Sequence, residues 1–410
     1  MFTWWREADS TARRALVAGS LGWMLDSFDV MLFALVLPAL MRSLRLDATV
    51  AGSLQSVTLL AAAVGGLVFG VLADRWGRTR ALMMSVLLYS IFTAACGLAT
   101  TATELAIFRI CLGLGMGGEW ASGAALISET WPDRHRAKAL AFMQSSWAIG
   151  YALAAAVSWL VQDVAGLDWR AVFFVGVLPA LFTLWVQRRV PEPAIWRHAR
   201  ATSTAPRLGH TLRALGGPML AVTVALSLMN ACTLFAYWGF NTWVPAYLST
   251  PVLAGGQGLT NAATSGLVIA NQVGTWFGYI SFGFVSDAVG RRPAYVVYLL
   301  LAAALVWAYT SVHGAWALLA LGPVTSFFAT GHFSGFGAVT AELYPTGVRA
   351  TAQGFTYNVG RIASAIGPRL VGSVAKTSGF PAALSITAAG FVVAAVCWIF
   401  IPETKGRSIE

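Results

Sequence analysis

The sequence predicts an all-α membrane protein of twelve transmembrane helices arranged as two pseudo-symmetric six-helix bundles. Three observations carry that expectation. Of the 410 residues, 57% are hydrophobic and 11% are charged, whereas a soluble domain has about 25% charged residues. Apolar stretches of about 20 residues recur along the chain, a length set by a hydrocarbon core ~30 Å thick. Loop segments of the first half return in the second at a constant offset of 213 residues. A membrane barrel would show short alternating strands instead.

In chain order, the apolar stretches are read as spans at 15–40, 49–73, 81–100, 103–129, 137–162, 170–187, 217–248, 261–286, 294–311, 314–342, 351–375 and 381–401. The polar leader MFTWWREADSTARR runs directly into the first span and lacks the pattern of a cleavable signal peptide. One long polar stretch, RRVPEPAIWRHARATSTAPRLGHTLRALG at 188–216, follows the sixth span and is read as a cytoplasmic linker. The expected domains are therefore 1–187, the linker 188–216, and 217–410. Trp4, Trp5, Trp131 and Trp169 fall near span ends, where aromatic belts form. The four cysteines match neither disulfide nor zinc spacing and are read as small core residues.

Orientation follows from Lys and Arg counts. With the N-terminus inside, the inner segments hold twenty and the outer loops four (Arg42, Arg45, Arg170 and Lys376), so both termini are expected in the cytoplasm of a cell-membrane protein. The net charge of +10 is thereby accounted for by topology, and nucleic acid is not an expected partner.

The repeat is specific. GVLADRWGR (70–78) is echoed by GFVSDAVGR (283–291), and ETWPDRHRA (129–137) by ELYPTGVRA (342–350), each 213 residues on. PEP at 191–193 and PET at 402–404 close the two halves. Parallel six-helix repeats with a substrate site near mid-membrane are a known transporter architecture. A channel would need a repeated filter loop or a ring of carboxylates, and neither is evident. There is no P-loop and no metal-ligand cluster, so an enzyme is not expected.

The loops carry charges of both signs. Asp74, Arg75, Arg78, Glu129 and Arg136 in the first half, and Asp287, Arg291, Glu342 and Arg349 in the second, are candidates for ion pairs that break and re-form at a gate. The same pairs would also anchor loops. These motifs, with Pro-Glu-Thr after the last span, resemble the major facilitator superfamily over essentially the whole chain. The resemblance implies two bundles that rock about a central site, latched on the cytoplasmic side by these loops.

Five ionisable residues fall inside spans: Asp26, Asp29, Arg109, Glu119 and Arg361. Such residues are costly in a bilayer and face an interior or a cavity. Asp26 and Asp29 lie ~60° apart on one helix face. Asp29 and Arg109 resemble in placement the Asp and Arg of the sugar porters, which implies that Asp29 binds the coupling proton with Arg109 tuning it. A static buried ion pair would use the same two residues. Glu119, in the glycine-rich GLGMGGEWASG, is a second proton site or a packing partner. Arg361 has Tyr357 and Asn358 on its own face and suits a carboxylate clamp; pairing with Asp26, Asp29 or Glu119 is the alternative. Gln144, Trp147, Tyr151, Asn230, Asn271 and Gln272 are candidate cavity residues, as are Tyr237, Asn241, His332 and Ser334, although polar residues also join helices.

Within the superfamily, GWMLDSFDVMLFALVLPAL, GGEWASGAALISETWP and YNVGR resemble metabolite:proton symporters of the sialate and monocarboxylate (lactate, pyruvate) group, with aromatic-acid and nicotinate porters nearby. This implies proton-coupled symport of a small organic acid anion by a monomer, with no cofactor beyond the proton. A neutral sugar:proton symporter and a proton-driven drug or metabolite exporter are the alternatives; the central Arg361 weighs against both.

Overall fold

The computed structural model describes residues 3–193, 219–344 and 349–405. The linker from 194 onward lies outside them. The described secondary structure is helical, and a helix or a broken helix occupies each of the twelve expected spans. After a short α1 (Thr3–Glu7), the first half contains α2 (Ser10–Leu44), α3 (Ala48–Trp76), α4 (Arg78–Cys96), α5 (Ala102–Thr130), α6 (Asp133–Trp159), α7 (Trp169–Val175) and α8 (Pro179–Arg189). The second contains α9 (Leu220–Ser249), α10 (Asn261–Val289), α11 (Arg291–Ser311), α12 (Ala315–Gly331), α13 (Phe336–Leu343), α14 (Arg349–Ser364) and α15 (Ile366–Cys397).

Helix ends follow local chemistry. Asp9 starts α2 by accepting a hydrogen bond from the Ala12 N–H at 2.6 Å, as an N-cap carboxylate does. Arg45 ends α2 in the left-handed region, φ 53°, with its N–H on the Met41 carbonyl. Thr101 caps α5 through the Glu104 N–H.

Three expected spans are interrupted. The sixth splits between α7 and α8, where Pro179 lacks an N–H to continue the ladder. The tenth has a 3-10 turn at His332–Gly335 between α12 and α13. The eleventh breaks at Ala365 between α14 and α15, and α15 itself turns at Gly379, φ 80°, just before Pro381. Hydropathy detects none of the breaks inside the sixth, tenth and eleventh spans, because the apolar pattern runs through them; the turn at Gly379 falls in the expected gap between the eleventh span (351–375) and the twelfth (381–401).

The chain forms two compact units, one of Met1–Asp47, Val57–Ser203 and Thr260–Ile269, the other of Ala48–Ser56, Thr204–Leu259 and Ala270–Glu410. Within the first, α2 packs on α5 and α6, and α4 on α5. Within the second, α9 packs on α14 and α15, and α11 on α12 and α15. Small residues permit the closest approaches. A Cβ at Gly117 of α5 would lie 2.0 Å from the Ala62 carbonyl of α3. The repeat extends to this packing: a Cβ at Gly65 would lie 2.1 Å from the Leu114 carbonyl, and one at Gly278 would lie 2.5 Å from the Phe327 carbonyl. Both partners are displaced by the same 213 residues.

Trp131 and Trp169 are 2% exposed, so they are core residues and not members of an aromatic belt. The Trp131 indole donates to the Ala12 carbonyl at 2.7 Å, which ties the end of α5 to the start of α2. The side chain of Trp4 lies outside the described residues.

Candidate functional site

The first unit gathers its intramembrane charges along one side of α2. Asp26, Asp29, Arg109 and Glu119 are all at most 1% exposed. Asp29 Oδ2 lies 3.1 Å from Thr93 Oγ1 of α4. Its other oxygen, Oδ1, is buried with no hydrogen-bond partner among the described residues. Thr93 Oγ1 also lies 2.8 Å from the Tyr89 carbonyl one turn back. A hydroxyl has one proton, so Thr93 donates to either the carbonyl or the carboxylate. When it donates to the carbonyl, the bond to Asp29 requires that Asp29 carry the proton.

Arg109 forms no ion pair with Asp29. Its guanidinium carbon lies 3.7 Å from the Phe33 ring centroid, a cation–π contact. Phe33 is one helical turn beyond Asp29 on α2, so the cation occupies the next position along the same face. Glu119 of α5 reaches α2 one turn before Asp26: a Cβ at Gly22 would lie 2.5 Å from Glu119 Oε1. The glycine provides the space for the carboxyl group. Asp26, Asp29 and Glu119 all lie within electrostatic reach of the Tyr89 phenol, whose buried oxygen has no hydrogen-bond partner among the described residues. Thr93, Tyr89 and Phe33 were not among the sequence candidates. Tyr89 and Thr93 are one turn apart on α4, a weak polar stripe in an otherwise apolar segment.

The candidates on α6 pack directly on α2. The rings of Trp23 and Trp147 lie 4.6 Å apart, and Ser27 donates to the Trp147 carbonyl at 2.8 Å. Tyr151 is buried and Gln144 half-buried.

In the second unit, Arg361 is 3% exposed. Its guanidinium lies over the Tyr357 ring at 5.8 Å, and Tyr357 in turn meets Phe336 at 6.0 Å. Arg361 has no ion pair and donates no side-chain hydrogen bond among the described residues of its unit. Asn358 turns its amide back to the Gly354 carbonyl at 2.9 Å. Asn230 is buried on α9 where α14 approaches: a Cβ at Gly360 would lie 2.7 Å from Asn230 Cβ. The Asn230 amide nitrogen has no hydrogen-bond partner among the described residues. Asn271 fills the notch at Gly322 of α12, its oxygen 2.0 Å from where a Cβ would be, which makes it a helix-packing residue. Gln272 is buried beside it on α10.

The loop charges form the same device in each unit. Arg78 Nη2 meets Glu129 Oε1 at 2.7 Å, and Arg291 Nη2 meets Glu342 Oε1 at 2.8 Å. Arg291 also pairs with Asp287 and donates to Ser286 at 2.7 Å. The Pro-Glu motifs complete the arrangement. Glu192 accepts from the N–H groups of Thr79 and Arg80 at 3.1 and 3.2 Å. Glu403 accepts from those of Arg291 and Arg292, both at 2.9 Å. Each carboxylate thus caps the helix that opens with the loop arginine, where the helix dipole favours negative charge. Burial pushes the Glu403 carboxyl up, but N–H groups of Lys405, Arg291, Arg292 and Thr404 outweigh it and hold the group below the usual carboxylate range. Glycines with φ 116° (Gly77) and 109° (Gly290) precede the two capped helices. Arg75 is exposed at the end of α3 and Arg136 lies on α6; the side chains of Asp74 and Arg349 lie outside the described residues.

Comparison with known proteins agrees with this architecture. The chain is 29% identical to the sialic acid transporter of Escherichia coli, over 95% of this chain and 93% of that one. It is 29% identical to the cis,cis-muconate transport protein of Acinetobacter baylyi, over 98% and 97%. Its fold is similar to that of a D-xylose-proton symporter, with a TM-score of 0.78, 21% identity and coverage of 97% and 100%. The family model described as Major Facilitator Superfamily matches residues 19–256 and 248–409. The chain belongs to the Major Facilitator Superfamily of membrane transporters.

Proposed function

We propose that this transporter moves a small organic acid anion together with a proton, by alternating access between halves at 1–187 and 217–410, with both termini in the cytoplasm. The observation that carries the substrate class is Arg361. A buried guanidinium needs a compensating partner, and its own unit supplies only the face of Tyr357 among the described residues. A carboxylate of the substrate would provide that partner in bidentate geometry. Two relatives, a sialic acid transporter and a cis,cis-muconate transport protein, are named for acids, which supports the same class.

Asp29 is the proposed proton site. It has one hydroxyl partner, Thr93, able to act as donor or acceptor, and no cation in contact. Gaining a proton removes a buried charge, and losing it turns the Thr93 hydroxyl from the Tyr89 carbonyl toward the carboxylate. Arg109, one turn away over Phe33, is the group whose approach or withdrawal would shift that balance.

Uptake into proteoliposomes tests the substrate assignment. Radiolabelled sialic acid, cis,cis-muconate, benzoate, nicotinate, lactate and pyruvate would be offered, with glucose as the neutral control, to wild type and Arg361→Ala. Uptake of an acid that is lost in the variant supports the clamp. Glucose uptake, or acid uptake that survives Arg361→Ala, refutes it.

A further inference from the structure

Outside the transport residues, the second unit has an open apolar groove of about 530 Å³ on its surface, between α11 and the end of α15. One wall is a single stripe of α11, Arg292, Val296 and Leu300, spaced four residues apart. The other is formed by Val396 and Ile399, with Trp398 also lining the groove. Leu300, Val396 and Ile399 are about half exposed or more, at 47%, 51% and 62%. Trp398 is fully buried, and its indole N–H has no partner among the described residues.

We propose that this groove binds one anionic phospholipid, with its phosphate on Arg292 and an acyl chain along the apolar stripe. Length and charge both fit. From residue 292 to residue 300 the helix rises ~12 Å, most of the ~15 Å that one leaflet contributes to the hydrocarbon core. Arg292 is exposed at the end of the groove and makes no ion pair among the described residues. The nearby carboxylate, Glu403, is engaged by backbone N–H groups, including that of Arg292 itself. Lys405 lies at the same helix end, its ammonium donating to the Ala288 carbonyl. A basic group beside an apolar channel at a helix end is suited to a lipid headgroup and its chain.

The test uses the full-length protein in detergent, with thermal stability followed as phosphatidylglycerol or phosphatidylcholine is titrated in. Phosphatidylglycerol should stabilise at lower concentration than phosphatidylcholine. Arg292→Gln should raise the concentration needed about fivefold, Arg292→Lys should retain it, and Leu300→Trp, which fills the groove from a lipid-facing position, should abolish the preference. Arg189→Gln, an arginine on α8 of the other unit, should leave it unchanged. Equal stabilisation by the two lipids, an unaltered response in Arg292→Gln, an equal loss in Arg189→Gln, or stabilisation by soluble glycerol phosphate alone would each overturn the proposal.

Discussion

Alanine at Gly77 and at Gly290 should not cost the same, although the two glycines are equivalent in the repeat. Both hold backbone geometry that is nearly exclusive to glycine, φ 116° and ψ 153° at Gly77, φ 109° and ψ 155° at Gly290. A side chain there costs about 1–3 kcal/mol in backbone strain at either site. The surroundings differ. A Cβ at Gly77 would lie 2.2 Å from Glu192 Oε1 and 2.8 Å from Oε2, whereas one at Gly290 would lie 2.9 Å from Glu403 Oε2. At Gly290 the carboxylate end needs only a small displacement. At Gly77 both oxygens are blocked, so Glu192 leaves the Thr79 and Arg80 N–H groups, and loss of a helix cap adds about 0.5–2 kcal/mol. Gly77→Ala should therefore destabilise by about 1.5–5 kcal/mol and Gly290→Ala by about 1–3 kcal/mol. Equilibrium unfolding in mixed micelles with a denaturing detergent measures both. A larger loss at Gly290, or no loss beyond about 0.5 kcal/mol at either site, would refute the capping argument.

Three further outcomes follow from the same contacts. Glu403 is held below the usual carboxylate range, so its charged form stabilises the fold at neutral pH and that contribution fades as pH falls through the lowered folded value; the stability gap between wild type and Glu403→Gln should narrow on acidification below about pH 4. Phe33→Leu keeps an apolar side chain but removes the ring beneath Arg109, and should cost up to about 2 kcal/mol in the same micelle unfolding assay. Arg291→Ala should lower the unfolding midpoint in that assay, because Arg291 engages Glu342, Asp287 and Ser286 together; an unchanged midpoint would count against these contacts.

The spans and the repeat are legible in the sequence because bilayer thickness fixes segment length and a duplicated unit fixes the spacing. The charged loop residues Arg78, Glu129, Arg291 and Glu342 were legible for the same reason, since they recur at the 213-residue offset, but which arginine meets which glutamate was not: the spacing suggests Arg136 for Glu129 and Arg349 for Glu342, and the fold brings Arg78 and Arg291 to them. The roles of Glu192 and Glu403 were not, because a cap depends on which helix N-terminus the chain reaches after more than a hundred residues. Thr93 was hidden as well: a threonine bonded to the carbonyl one turn back resembles any helix threonine until α2 brings Asp29 against it. Arg109 could be recognised as a buried cation, but its contact with Phe33 could not, because an aromatic one turn from Asp29 reads as ordinary apolar packing. Asn271 shows the converse. Its polar character in a span pointed to a cavity, while the missing side chain at Gly322 gives it a packing role.

In the proposed cycle Asp29 carries the coupling proton while Arg361 carries the anion. The most direct test reconstitutes Asp29→Asn in proteoliposomes and compares two assays on the same vesicles: accumulation of the acid driven by an inward proton gradient, and counterflow exchange of the acid with no gradient. Asparagine keeps the size and the Thr93 hydrogen bond but cannot release or take up the proton. Counterflow should persist and gradient-driven accumulation should be lost. Accumulation that survives in Asp29→Asn would contradict this cycle and move the proton to another group.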